Sequence, residues 1–310
     1  DAENNPADYS VDNVPYAPAH HFPVNVDGVK DGDFTMVFGF PGRTEQYLTS
    51  DAVEHVIQRL NPMRISMRDE GLAVINAARA SSDELRIAYA AKQSSVANAW
   101  KKWKGQNRGL TELRALDKKR DLETQLKQAT GSTVVKDIAA LNAAYFPLLE
   151  ARALFIELAY YGPDVLNYAH GFAGLIGGVE GEKRDALLSA RRYEEPGFRK
   201  DFDASVDEAL LGRLIDEYLQ WIPEGMAPEG LQAEVEKAGG GEAWAAKLYA
   251  KSVFDDAEAV ARDLPVIVTA AVHAQVTRVV LVSLVGAHGR SSDPVLAALG
   301  QGEELLEQAT

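Results

Sequence analysis

Acyl transfer by a serine nucleophile needs a serine, a histidine and a carboxylate brought together. The sequence offers no local signature for that meeting. It contains no G-x-S-x-G, and no serine sits in a Gly-rich turn. Its six histidines are His20, His21, His55, His170, His273 and His288, and none falls in H-E-x-x-H or another zinc spacing. His20 and His21 precede a strand pattern, where neighbours point to opposite faces, so one metal cannot take both. Gly174, Gly177, Gly178 and Gly181 cluster, but no strand leads into them as a phosphate-binding loop requires. Arg43 in a turn could be read as an anion site, and more simply as part of an exit turn. Asp255-Asp256 is the kind of acidic pair found on many helix surfaces. There are no cysteines, which removes disulfides, thiolate metal sites and a thiol nucleophile. The residues by themselves thus give no catalytic constellation, no metal set and no cofactor motif.

The elements that would have to position any chemistry are mostly helical. Residues 22–27 and 34–40 read as strands, with Val24, Val26, Met36 and Phe38 at period two. The link DGVKDGD between them holds two Asp-Gly pairs, which favour turns with positive φ. Two strands alone are marginal in water, so they are expected to pair with a sheet outside the given sequence. From Asp51 onward the signals are helical. Asp51-Ala-Val-Glu54 reads as a capping box, and Ser81-Ser-Asp-Glu84 repeats that pattern before a helix over 82–104, which Gly105 and Gly109 should stop. Further helices are predicted over 111–129, 133–145, 148–161, 164–176, 203–221, 229–237, 242–251 and 293–308. Pro147, Gly162-Pro163, Pro223 and Gly239-Gly240-Gly241 punctuate them.

Composition narrows the function classes. The 310 residues are 46% apolar and 25% charged, ordinary for a globular chain. Net charge is −14, and the one basic cluster is WKKWKG, a poor match to the cation density that nucleic acid phosphates demand. The opening residues, DAENNPADYS, are polar and acidic and carry no signal-peptide pattern. The longest apolar run is Leu264 to Gly286. His273, Gln275 and Arg278 sit inside it, and a central Arg costs about 2.5–3.5 kcal/mol on insertion scales, so a buried helix or β segment is expected there and not a membrane span.

Several long stretches together carry a resemblance. They are ADYSVDNVPYAPAHHFPV (7–24), GVKDGDFTMVFGFPGRTEQYLTS (28–50), RIAYAAKQSSVANAWKKWKGQNRGL (86–110), FRKDFDASVDEALLGRLIDEYLQWIP (198–223) and YAKSVFDDAEAV (249–260). In this order they are similar to the bacterial serine dipeptidyl-peptidases of family S46, the dipeptidyl-peptidase 7 and 11 type. The resemblance implies a chymotrypsin-like double β-barrel carrying a large helical insert. On that reading residues 1–50 are the end of a barrel, residues 51–310 are the all-helical insert, and the chain is an internal piece of a larger enzyme. The family's catalytic His and Asp lie upstream of such a segment and its nucleophilic Ser downstream, so no catalytic residue carries over. His20-His21 lack the Thr-Asn and Cys context of the family's histidine pair. Segment 264–290 is richer in Val than the family's insert leads one to expect, and is either a divergent helix or an irregularity.

One functional residue matches by position. The family binds the free α-amino group of its peptide substrate partly through an asparagine of the insert, which corresponds to Asn98 in VANAWKKW. At 100° per residue, Leu85, Tyr89, Val96, Trp100 and Trp103 fall within about 60° of one another and form an apolar face. Asn98 lies roughly opposite, beside Ala91, Ser94 and Ser95. Residue pattern alone makes Asn98 an exposed residue on a polar face; the resemblance makes it a substrate contact. The resemblance also implies peptide partners with a free N-terminus, no cofactor, a homodimer and a periplasmic or cell-envelope location. The alternative expectation is a stand-alone, non-catalytic helical binding or scaffold protein.

Overall fold

The computed structural model describes residues 1–36, 38–39, 45–171, 181–250 and 252. The chain divides into two compact units, Asp1–Gln46 and Tyr47–Thr310.

Among the described residues of the first unit neither expected strand is present. No described residue there is in a strand, and the residues chosen for an apolar face are open to solvent, Val24 at 84% and Phe38 at 98%. An extended segment becomes a strand only by pairing its backbone, and two short strands are not self-sufficient. The turns between them are present. Gly28 at φ +70° and Gly32 at φ +89° follow Asp27 and Asp31 and take the left-handed conformation for which glycine was expected. Residues 37 and 40 of the second strand prediction, and Arg43 in the expected exit turn, lie outside the described residues.

Every regular element among the described residues of the second unit is a helix. A first helical stretch comprises α1 (Ser50–His55), a π turn (Val56–Leu60) and α2 (Asn61–Ser81). Pro62 cannot donate to the helix ladder, and the wider π turn lies directly before it. Asp51 is not the cap: the helix begins one residue earlier, and Asp51 Oδ2 accepts from Asn142 Nδ2 at 2.8 Å. Next come α3 (Asp83–Ala88), α4 (Ala90–Glu112), α5 (Ala115–Thr130) and α6 (Val134–Ala159). Then follow α7 (Asp164–His170), α8 (Gly181–Lys200), α9 (Ala204–Trp221), α10 (Leu231–Ala238) and α11 (Gly241–Tyr249).

Among the boundaries that differ from the sequence prediction, four have a clear physical reason. Ser82, one residue after the expected cap, accepts the Leu85 N–H through its hydroxyl. The helix expected over 82–104 breaks at Tyr89, whose ring is buried and whose hydroxyl lies 3.3 Å from the Asp203 backbone nitrogen. Gly105 and Gly109 do not stop α4. Asn61 Nδ2 donates to Asn107 at 2.8 Å, and Asn107 Nδ2 donates to the Ile57 carbonyl at 3.1 Å; these ties outweigh the cost of a helical glycine, about 1 kcal/mol. Pro147 does not divide α6. Phe146 stacks on His55 with centroids 3.9 Å apart, and Glu150 pairs with His55 and Arg59, so both flanks of the proline are held from outside. The predictions over 264–290 and 293–308 fall outside the described residues.

The core lies where α2, α6 and α9 meet, with α11 closing on α9. Met63, Met67 and Ile75 of α2, Leu154 of α6, and Leu210, Leu211 and Ile215 of α9 are essentially inaccessible. α9 and α11 touch through glycine. A Cβ on Gly212 would lie 2.9 Å from the Glu242 Cα, and one on Gly241 would lie 2.2 Å from the Gly212 carbonyl oxygen, so neither position has room for a side chain.

Candidate functional site

The exposed face of α4 takes its shape from what lies behind it. Of the 23 residues of α4, only Val96 and Ala97 are buried. Apolar packing therefore holds this helix lightly, and polar ties do the rest. Arg68 of α2 is buried among three elements. Its Nε and one terminal nitrogen donate to both carboxylate oxygens of Glu157 on α6, at 2.6 and 3.1 Å. Its other terminal nitrogen donates to the backbone carbonyls of Val96 at 2.8 Å and Ser95 at 3.4 Å. The rings of Trp103 and Tyr161 lie 4.7 and 4.3 Å from its guanidinium carbon. Burial pushes the Glu157 carboxyl above its ordinary range, against the pull of Arg68. One turn on, Trp100 Nε1 donates to Asp69 at 2.7 Å.

On the opposite side of α4, Ala91, Ser94, Ser95 and Asn98 are all exposed. The face expected to be apolar is turned inward, with Tyr89 and Val96 buried and Leu85, Trp100 and Trp103 half-buried. The helical period thus placed Asn98 correctly. Among the described residues its side-chain amide makes no hydrogen bond, so its oxygen is available to an incoming donor. Lys101 and Lys102 follow on the exposed surface. They do not favour a cation, so any recognition of an ammonium here has to come from a directed hydrogen bond to the amide oxygen.

A depression of about 430 Å³ opens near the N-terminal end of α4, lined by Tyr89, Ala91, Lys92, Asp164, Tyr168 and Phe198 among others; Asn98 is not in its lining. Lys92 Nζ meets Asp164 at 2.7 Å and the Gly162 carbonyl at 2.5 Å, so its charge is already engaged. Beneath it Asp207 is fully buried and accepts from the Asp164 and Val165 backbone nitrogens, at 2.5 and 3.0 Å, and from the Tyr249 hydroxyl at 2.7 Å. Burial pushes Asp207 up to about 6; Lys92 opposes the shift and Asp164 adds to it. Burial, joined by the charge of Asp207, raises the Tyr249 and Tyr89 hydroxyls as well. These groups knit α7, α9 and α11 together and present no nucleophile. A larger groove of about 760 Å³ between α2 and α9 is lined by Glu70, Ala73, Val206, Glu208, Arg213 and Glu242.

Sequence reasoning missed one pairing with two members of a hydrolytic relay. His55 Nε2 lies 2.8 Å from Glu150 Oε1, and both are buried. The pair also holds Arg59, and Phe146 stacks on the ring face of His55; no serine hydroxyl bonds to the pair among the described residues. His20 and His21 are exposed with ring centroids 6.4 Å apart. Among the described residues no three His, Cys, Asp or Glu side chains come together as a metal site. Asp255-Asp256, His273, His288 and Gly174 to Gly178 lie outside the described residues.

Comparison with known proteins adds what the geometry does not contain. The family described as Peptidase S46 matches residues 1–283. An Asp/Glu-specific dipeptidyl-peptidase of Flavobacterium psychrophilum is 32% identical over 269 residues, covering 82% of this chain and 36% of that protein. Dipeptidyl-peptidase 7 of Porphyromonas gingivalis is 32% identical over 262 residues, again 82% of this chain and 36% of the relative. The chain thus spans little more than a third of the length of these relatives. Among solved structures, DPP11 of Porphyromonas endodontalis in complex with the dipeptide Arg-Glu aligns with a TM-score of 0.66 at 24% identity. The alignment covers 97% of this chain and 43% of that one, so the helical fold is one that DPP11 shares.

Proposed function

The chain belongs to the peptidase S46 family, and from that premise we propose that it is the helical part, with a flank of the catalytic barrel, of a serine dipeptidyl-peptidase. The whole protein releases dipeptides from peptides with a free N-terminus. Its relay of Ser, His and Asp and its oxyanion hole act by acyl transfer, without a metal or cofactor, and belong to the remainder of the polypeptide. Residues 1–50 end the barrel, and the helices cap its cleft so that no further residues fit beyond the substrate's first two. An exopeptidase must tell an α-ammonium from an internal amide. Asn98 does so by accepting a hydrogen bond from the ammonium through its Oδ1. The observation that carries this reading is the exposed, unengaged Asn98 on a strip of alanine and serine, low enough for a second body to approach closely. The relatives named as dipeptidyl-peptidases, and the DPP11 complex with a dipeptide, support the substrate class. The protein acts as a homodimer in the periplasm or cell envelope.

The test is dipeptide release by the whole polypeptide from paired chromogenic substrates, one with a free N-terminus and one N-acetylated. Release from the free substrate alone, and none from the isolated 310-residue chain, is expected. Equal turnover of the acetylated substrate, or no release at all, overturns the proposal; the latter would favour a non-catalytic scaffold.

A further inference from the structure

We propose that Arg68 is the positioning residue for Asn98. The inference rests on the reading of Asn98 as the ammonium contact. Arg68 grips α4 at the carbonyls of Val96 and Ser95, two and three residues before Asn98, or about 3–5 Å along the helix axis. Those carbonyls already belong to the helix ladder, so the bonds from Arg68 are not needed to satisfy them. They add direction. The planar guanidinium is fixed in its own plane by the two-point pairing with Glu157 and across that plane by Trp103 and Tyr161. It is 3% exposed, so water offers its donors no alternative.

A buried ion pair is a poor stabiliser compared with apolar side chains of similar volume. Its advantage is that it specifies one geometry. α9 needs no such device, because eight of its residues are buried and lock it by shape. α4 buries only Val96 and Ala97, beside Asn98, so packing fixes the position of that turn at two small contacts and the fork of Arg68 adds directed bonds there. A hydrogen bond to an ammonium tolerates little misplacement, since a displacement of about 1 Å at a reacting complex can lower its rate by about 100-fold. Other ties of α4 to α2 lie on the C-terminal side of Asn98: Trp100 to Asp69 two residues on, Arg64 over the Trp103 ring, and Asn61 to Gln106 and Asn107.

The experiment is a double-mutant cycle in the whole peptidase, crossing Arg68→Lys with Asn98→Ala and reading kcat/KM on a free dipeptidyl substrate. Lysine keeps a charge beside Glu157 but loses the fork. Because Arg68→Lys alone can compromise folding, the cycle is repeated with Arg68→Met and Glu157→Leu together, which leaves no buried charge behind. Each protein is read below its melting transition. The expected result is a loss of about tenfold from Arg68→Lys or from the paired variant when Asn98 is present, and a loss smaller by about threefold or more when Asn98 is alanine. An equal loss in both backgrounds, or none in either, overturns the positioning role and leaves Asn98 standing as a contact. Full kcat/KM in Asn98→Ala alone overturns the reading beneath it as well.

Discussion

Asp207→Asn isolates the electrostatics of the knot beneath α7. Asp207 is fully buried, and burial raises its carboxyl from 3.8 to about 6 despite three hydrogen-bond donors. A carboxyl raised in the folded state binds its proton more tightly there than in the unfolded chain. Its contribution to stability is therefore complete below about pH 4 and is lost as pH rises through about 6. The span from 3.8 to about 6 corresponds to roughly 3 kcal/mol. Asparagine does not titrate, so the stability of the unmodified chain relative to Asp207→Asn should fall by roughly that amount between pH 4 and pH 7. At about 2–4 °C per kcal/mol for a large domain, the difference in Tm should shift by roughly 6–12 °C. The measurement is paired melting by circular dichroism in steps of one pH unit at fixed ionic strength; other carboxylates cancel in the difference. A difference that stays constant, or grows in favour of Asp207 as pH rises, would refute the reasoning. It would mean that the three donors outweigh burial and keep the carboxylate charged.

Two further outcomes concern packing. Ile75→Ala should lose about 2–5 kcal/mol in urea unfolding, because Ile75 is wholly inaccessible, and Trp100→Ala clearly less, because Trp100 is half-buried and its indole bonds the side chain of Asp69 at an exposed edge; an equal or larger loss for Trp100→Ala would place it deeper in the core than described. In the isolated chain, amide hydrogen exchange at residues 22–36 should be much faster than in α9, since those residues are exposed and their described backbone hydrogen bonds are confined to local turns; comparable protection would show that a sheet forms there.

The helices that the sequence disclosed were those with local punctuation. α9 starts where expected because Asp203 caps it, accepting from the Ser205 and Val206 nitrogens. α10 and α11 are separated by Gly239 and Gly240 in conformations that suit glycine. The disagreements arose where distant contacts overrule local preference, as Asn61 does for Gly105 and His55 for Pro147. α8 went unread because it is polar along most of its length and carries Pro196 inside. The Arg68–Glu157 pair spans 89 residues and leaves one trace in the sequence, an arginine among Met63, Met67, Leu72 and Ile75 of α2. Asn98 was half legible: helical period put it on the exposed face, but only resemblance gave that face a task.

The central claim is tested most directly by Asn98→Ala in the whole peptidase, with steady-state kinetics set beside thermal melting. A hydrogen bond to a charged group contributes about 1.5–3 kcal/mol, or roughly 10- to 150-fold. A fall of that size in kcat/KM is expected for substrates with a free N-terminus. Melting should stay within about 0.5 kcal/mol of the unmodified protein, because Asn98 is exposed and alanine is the better helix former. Unchanged kcat/KM would contradict a role in binding the ammonium and leave Asn98 an ordinary surface residue of α4.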